Sequence, residues 1–388
     1  MNSHFRLRVL ALAFLLGFIA MGAQAAARPG DMKQVKVYFE KGRFAAWPAN
    51  WGIWTWGNEI LVGFSRGYYK DLGPKLHNID REKPEEHLLA RSLDGGETWT
   101  IENPAEKGYL IPQGKAALHG TELPGVPIPP LVDCPGGINF THPDFCMTLR
   151  MSNIQGGVSR FFYSYDRGHH WEGPFRLPAF TAHGTAARTC YLVDGEHDCT
   201  LFLTASKRDG EEGRPFCART HDGGKTWDFV SFIGPEPRGY AIMPSALRLS
   251  PTELYTVIRR RDNNEAWLSA YGSHDNGLTW EQYENPVNDT GEGGNPPSLV
   301  RLKDGRISLV YGVRRAPFRI CAKLSADGGR TWGDEIDLRD DGGGRDLGYP
   351  AGVLRPDGKV VSLYYFWDAI TGPERYLEAT IWDPASVK

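Results

Sequence analysis

The chain contains no C-x-x-C pair, no H-E-x-x-H segment and no apolar run of 18 residues. The first two absences exclude the common structural zinc and thioredoxin-type centres and a zinc-hydrolase helix, and no metal or cofactor is expected. The third leaves no comfortable membrane-spanning helix. A basic excess is also missing. With 44 basic and 47 acidic residues the formal charge is −3, so the electrostatic footprint of a nucleic-acid binder is absent. Heptads and long helical periods are lacking too, which excludes a helical bundle. Cysteine is sparse, six in 388 residues, and six allow 15 pairings. Cys190 and Cys199 flank Asp194-Gly195, so a hairpin there would set them opposite each other, and Cys134 with Cys146 is the next couple. Buried free thiols are the equal alternative.

Turn formers and aromatics are plentiful instead. There are 46 Gly and 27 Pro, scattered between short apolar runs, which describes a turn-rich all-β fold rather than a disordered chain. Aromatics make up 12% and include 12 Trp, enough to bury a sizeable core. At the N-terminus, Arg6 and Arg8 precede an apolar run, Val9–Met21, and then Ala23-Gln24-Ala25. That is the pattern of a cleaved export leader. Residues 1–25 are therefore read as a signal peptide, and an exported chain, periplasmic or extracellular, is expected to begin near Ala26.

One eight-residue pattern recurs five times: at Ser92–Trp99, Ser164–Trp171, Thr220–Trp227, Ser273–Trp280 and Ser325–Trp332, spaced by 72, 56, 53 and 52 residues. In each, an Asp at the third position can accept hydrogen bonds from the amides of its own turn. The Gly at the fifth permits a positive φ, and the closing Trp can cover a core while its indole N–H finds a partner. Repeats at this spacing mean a propeller or solenoid. Between them run proline-containing strand entries at Trp47-Pro48, His142-Pro143, Leu177-Pro178, Met243-Pro244, Pro296-Pro297 and Tyr349-Pro350. Six entries predict six blades in one domain over residues 26–388. The spare strand-like segments Val35–Phe39 and Tyr376–Trp382 are expected to complete one blade together and close the ring.

The repeat is the Asp-box, S-x-D-x-G-x-T-W, and the chain resembles the sialidase-like (BNR repeat) six-bladed β-propellers over essentially its whole mature length. The resemblance implies that the boxes are structural turns on the face away from the site. It implies chemistry at the mouth of the central channel, where three Arg hold a substrate carboxylate, a Tyr assisted by a Glu is the nucleophile and an Asp is acid/base. Tyr349, in Gly348-Tyr-Pro-Ala-Gly352, looks like the nucleophile. Arg259 resembles the second Arg, and Arg314 or Arg315 the third. Asp80 lies where the acid/base is expected.

Two positions depart from that pattern. Ala46-Trp47-Pro48 stands where the first Arg would be, with Arg43 three residues upstream as its substitute. Met243-Pro244 replaces the assisting Glu, which leaves Glu292 or Asp346 to serve Tyr349. Trp47, His77, His142, Asp144 and Arg188 complete the polar and aromatic set expected near the strand entries. Gly342-Gly-Gly-Arg-Asp346 has no following Lys-Ser/Thr and is not a P-loop. A ring of Arg suits a carboxylate or sulfate. The implied partner is an acidic glycan and the implied activity a sialidase-like glycoside hydrolase acting at its terminus. A propeller lyase or hydrolase for a uronic-acid polysaccharide, using His and Tyr, is the alternative. A non-catalytic glycan- or protein-binding propeller is another.

Overall fold

In the computed structural model the described residues are Gly30, 32–112 and 123–387, so the leader lies outside them. Six antiparallel sheets follow one another around a central channel. Blade 1 holds Arg43–Ala46 with Ile53–Trp56, then Glu59–Tyr68, Glu86–Ser92 and Thr100–Glu102. Blade 2 holds Cys146–Met151, Ser159–Ser164 and Glu172–Arg176; blade 3 begins with Thr185–Ala186 and Tyr191–Val193 and ends with Asp228–Phe232. Blade 4 spans Tyr240–Arg248 to Glu281–Gln282 and blade 5 spans Ser298–Arg301 to Ile336–Gly342. Blade 6 comprises Gly348–Leu354, Val360–Asp368 and Gly372–Trp382, and its outermost strand is Met32–Tyr38 from the other end of the chain. That pairing, Met32 opposite Trp382 and Val35 opposite Ala379, closes the ring.

The strands follow from the sequence in an elementary way. In blade 5, Ser298–Arg301 and Ile307–Val313 are apolar runs joined by Lys303-Asp304-Gly305, where Gly305 takes φ +88 and Asp304 caps Arg306. Apolar side chains of neighbouring sheets then fill the space between blades. Val310, Ile320 and Ala322 of blade 5 meet Val360, Tyr364 and Trp382 of blade 6 in one such layer.

The Asp-boxes lock this packing. In the fourth, Asp275 accepts from Ser273 Oγ at 2.8 Å, Thr279 N at 2.9 Å and Thr279 Oγ1 at 2.5 Å. The same bonds recur at Asp94, Asp222 and Asp327. Each box also touches the preceding blade. Gly329 takes φ +88 against Tyr255, whose hydroxyl donates to its carbonyl at 3.1 Å; a Cβ there would lie 2.3 Å from the ring. Two box tryptophans, Trp171 and Trp227, are buried, and Trp99, Trp280 and Trp332 are half-buried. Every box follows the strand next to the outermost one of its blade, and antiparallel order puts it on the face opposite the start of the inner strand, where Tyr349 sits.

Several expectations are corrected. The hairpin around Asp194-Gly195 exists, but its turn extends to Asp198 and pairs Val193, not Cys190, with Cys199. All six cysteines are free thiols. Blade 2 has three strands among the described residues, and His142-Pro143 leads into Cys146–Met151, which lies two strands in from the outer edge, the place of the second strand in the four-stranded blades. Leu177-Pro178 follows the outer strand Glu172–Arg176 and stands ahead of the first strand of blade 3, Thr185–Ala186, as an entry should.

Candidate active site at the channel mouth

Inner strands carry the site, and they do so at bulges. The register of blade 4 shifts between Ile242 and Ser245, and that of blade 6 between Gly348 and Ala351. A bulge bends a strand and re-aims a side chain. At these points Met243 and Tyr349 adopt φ 55 and φ 52, and Trp47, at the matching place in blade 1, adopts φ 64. A non-glycine residue in the left-handed region costs about 1–3 kcal/mol and persists only where its surroundings hold it. Each of the three precedes a proline. All three side chains meet in a single buried cluster with Phe44, Ile79, Ile242 and Tyr365.

Asn295 holds Tyr349 in that conformation. Fully buried in the loop before blade 5, it accepts from Tyr349 N at 2.7 Å and donates to Leu347 O at 2.9 Å. The Tyr349 hydroxyl then receives Arg259 Nη1 at 2.9 Å. Arg259 and Arg314 each place the guanidinium carbon 5.5 Å from the Tyr349 ring centre, from blades 4 and 5. Burial pushes the Tyr349 hydroxyl up, but the charges of Arg259, Arg314 and Arg188 outweigh it and hold its pKa below the ordinary tyrosine value. Arg259 also donates to Gly293 O, and Arg314 to Leu347 O at 3.0 Å and Tyr365 Oη at 2.8 Å.

Asp346 faces away from Tyr349. Its carboxylate takes His77 Nδ1 at 2.6 Å, Tyr365 Oη at 2.7 Å, the Asn78 amide at 3.2 Å and Arg375 Nε at 3.1 Å. Burial opposes ionisation there, yet His77, Arg375 and Arg314 hold the carboxyl well below its usual range. Every accepting position is committed, so this group is not placed to take a proton from Tyr349. His77 in turn stands edge-on to Trp47, with ring centres 5.4 Å apart, and 6.5 Å from the Tyr349 ring. Desolvation lowers its pKa, with Asp346 pulling the other way.

The remaining sequence-predicted residues divide clearly. Arg188 occupies the blade 3 counterpart of these bulge positions, buried and paired with Glu212. Arg314 is buried beside Tyr349, whereas Arg315 pairs with Asp289 at 2.7 Å on the surface. Arg43 does not reach Tyr349: it stacks on Tyr68 and pairs with Glu86 at 2.7 Å. Glu292 is exposed and touches the site only through its backbone carbonyl, which accepts from Arg345. Asp80 caps its own turn at Glu82 N and pairs with Lys70 at 3.4 Å. His142 and Asp144 lie on the opposite face, because Asp144 pairs with Arg167 of the second Asp-box at 2.6 Å. They are corrected to that face, since they begin a second strand rather than a first.

Asn295 stands among the polar residues near the strand entries in the sequence, whereas Glu85 is not marked there. Glu85 is buried beside Ser65 and Arg81, and burial pushes its carboxyl up to about 7. Arg81 lies over the Trp47 ring at 5.6 Å, which links Glu85 to the site. Nothing local in the sequence marks Glu85 as buried.

Below this layer the channel encloses about 330 Å³, lined by Trp54, Arg188, Tyr191, Met243 and the prolines of the strand entries. Cys321, Glu335 and Asp337 come close enough together to hold a metal ion. Arg319 already occupies the two carboxylates, at 2.6 and 2.7 Å, on the outer part of blade 5.

Comparisons with known proteins agree with this fold. The model of the BNR repeat-like domain matches residues 145–361. No curated protein matches the chain. Among solved structures, a protein of unknown function from Dyadobacter fermentans is 21% identical with a TM-score of 0.67, over 94% of this chain and all of that one. The NanB sialidase of Streptococcus pneumoniae is 12% identical, TM-score 0.58, over 94% of this chain and 71% of the sialidase. The Trypanosoma rangeli sialidase in complex with the inhibitor DANA is 14% identical, TM-score 0.57, and the match covers 90% of this chain but 59% of the sialidase. These likenesses show the fold, a sialidase-like six-bladed propeller. With more than half of its length matched by the domain model, the chain belongs to the BNR repeat-like family.

Proposed function

We propose that the protein is an exported enzyme that cleaves the glycosidic bond of an acidic sugar at the end of a glycan. Arg259, Arg314 and Arg188 hold the sugar carboxylate, and Tyr349 is the reacting hydroxyl. The observation that carries this reading is the Arg259–Tyr349 hydrogen bond of 2.9 Å in a buried site facing three guanidinium groups. A phenol near its ordinary pKa of about 10 is a poor nucleophile. Positive charge favours the phenolate and supplies the activation that the missing Glu would otherwise give. Sialidases of the same fold have been seen with sialic acid or an inhibitor bound, which supports a sugar ligand.

A second reading is favoured by a different observation. Met243 and Trp47 fill the positions that the resemblance assigns to the assisting Glu and the first Arg, whereas a His77–Asp346 pair stands beside Tyr349. That arrangement suits proton transfer on a uronic acid. The test is turnover of sialyllactose and of 4-linked oligoglucuronate by the wild type and by Tyr349→Phe. Cleavage of one substrate, lost by orders of magnitude in the variant with folding intact, is the expected result. Failure to cleave any acidic glycan would leave a binding propeller.

A further inference from the structure

We propose that His77 is a catalytic proton acceptor and Asp346 its positioning residue, and that the substrate is a uronic acid opened by β-elimination. The inference rests on the reading of the Arg259–Tyr349 site as a sugar-carboxylate site. The geometry comes first. Asp346 is buried and fully hydrogen-bonded, so it presents a fixed acceptor to His77 Nδ1 at 2.6 Å. A carboxylate on one ring nitrogen fixes the tautomer. Nδ1 carries the proton, and Nε2, on the far edge of the ring, keeps its lone pair. The imidazole is side-on to Trp47 and Tyr349, and about a quarter of its side chain remains accessible, 24%.

The chain holds this pair from several directions. His77 belongs to the loop between the second and third strands of blade 1, and Asp346 to the loop entering blade 6. Arg345, next to Asp346, donates to Lys75 O and ties the two loops together. The charged and titratable groups facing His77 are Asp346, Arg314 and Arg81, with Tyr349 across the site. Desolvation disfavours the imidazolium most, Asp346 favours it, and the two arginines disfavour it further. The balance lowers the His77 pKa, which favours the neutral ring that can accept a proton.

The reaction balances with groups already present. With the sugar carboxylate neutralised by arginine, the proton on the carbon next to it becomes acidic. His77 Nε2 takes that proton. The C–H electron pair forms the C4–C5 double bond, the C4–O bond breaks, and the departing oxygen takes the proton of the Tyr349 hydroxyl. The arginines that lower the Tyr349 pKa make it a better donor and stabilise the phenolate that remains. No water, metal or oxidant is consumed.

The experiment follows the absorbance of the unsaturated product from 4-linked oligoglucuronate, with melting curves confirming that each variant folds. His77→Gln and His77→Asn should each lose about 10²–10⁴-fold in kcat, the usual contribution of a general base, with KM little changed. Asp346→Asn should keep part of the activity and move the acid limb of the pH–rate profile to lower pH, since Asp346 raises the His77 pKa. A purely structural Asp346 would lower the rate without moving that limb. Nitrogen NMR of the histidines should show a neutral Nδ1–H tautomer for His77 at neutral pH, lost in Asp346→Asn. Full activity in a folded His77→Gln variant overturns the proposal, as does a saturated product. In either case loss of activity in Arg259→Ala would leave the carboxylate site standing. If neither glucuronides nor sialosides are turned over, the broader reading fails with it.

Discussion

At the scale of single residues, two predictions come from buried polar groups. Asn295 bonds the Tyr349 amide and the Leu347 carbonyl, and it is wholly buried. Asn295→Ala strands both partners, at about 1–3 kcal/mol for each unsatisfied group. It also frees Tyr349 to leave its left-handed backbone conformation. A denaturant titration should therefore show a loss of about 2–6 kcal/mol, and activity should fall further than stability alone explains. Glu85 gives the opposite sign. Its carboxyl is raised to about 7 by burial, against an ordinary 4.5, so the folded state binds its proton more tightly than the unfolded state. Stability is thus lost as pH rises from about 4.5 to 7 and stays lost above. Glu85→Gln removes that loss. Its advantage over the wild type should be small near pH 4.5 and grow to about 3 kcal/mol by pH 8. An advantage that is flat with pH would mean Glu85 is not desolvated.

Elements were legible where they are punctuated locally. The Asp-box turns, the Asp304-Gly305 hairpin and the pairing of the two chain ends all rest on short patterns that the structure reproduces. Blade 2 was not legible. A proline before an apolar run marks a strand start but not its rank, and His142-Pro143 begins a second strand beside a box. That misplacement carried His142 and Asp144 to the wrong face. The site was legible in part for the same reason. Arg259, one of Arg314 and Arg315, and Tyr349 follow from the resemblance, on or just beyond second and inner strands, but His77 and Asp346 are 269 residues apart and meet only through tertiary packing. The boxes themselves supply a test at this scale. Hydrogen bonds from Thr279 and Ser273, which outweigh desolvation, hold Asp275 at about 2, and Asp94, Asp166 and Asp327 are depressed likewise. A depressed carboxyl stabilises the fold above its unfolded pKa and stops doing so as pH falls through the folded one. Asp275→Ala should lower the melting temperature at pH 7 and lower it less at pH 2. An unchanged difference between the two pH values would show that its carboxylate contributes nothing.

For the whole molecule the decisive feature is closure. Five blades are continuous in the chain, and the sixth joins Met32–Tyr38 to Gly372–Trp382. Without that strand, Gly372–Trp382 becomes an exposed edge with unpaired amides and carbonyls, a template for pairing with other chains. Val37 and the half-buried Val35 and Tyr38 also pack into the layer between blades 6 and 1. Their loss uncovers Phe64, Val361 and Leu377, which are now buried. Burial of one such side chain is worth roughly 1.5–3 kcal/mol, so removing the strand should cost a large share of a typical 5–15 kcal/mol total. A chain starting at Gly30 should melt like the full-length protein, because it keeps the whole of Met32–Tyr38. A chain starting at Glu40 should melt far lower or aggregate, and adding a Met32–Tyr38 peptide should partly restore it. Equal melting of the two truncated chains would show that the ring does not depend on its joined blade.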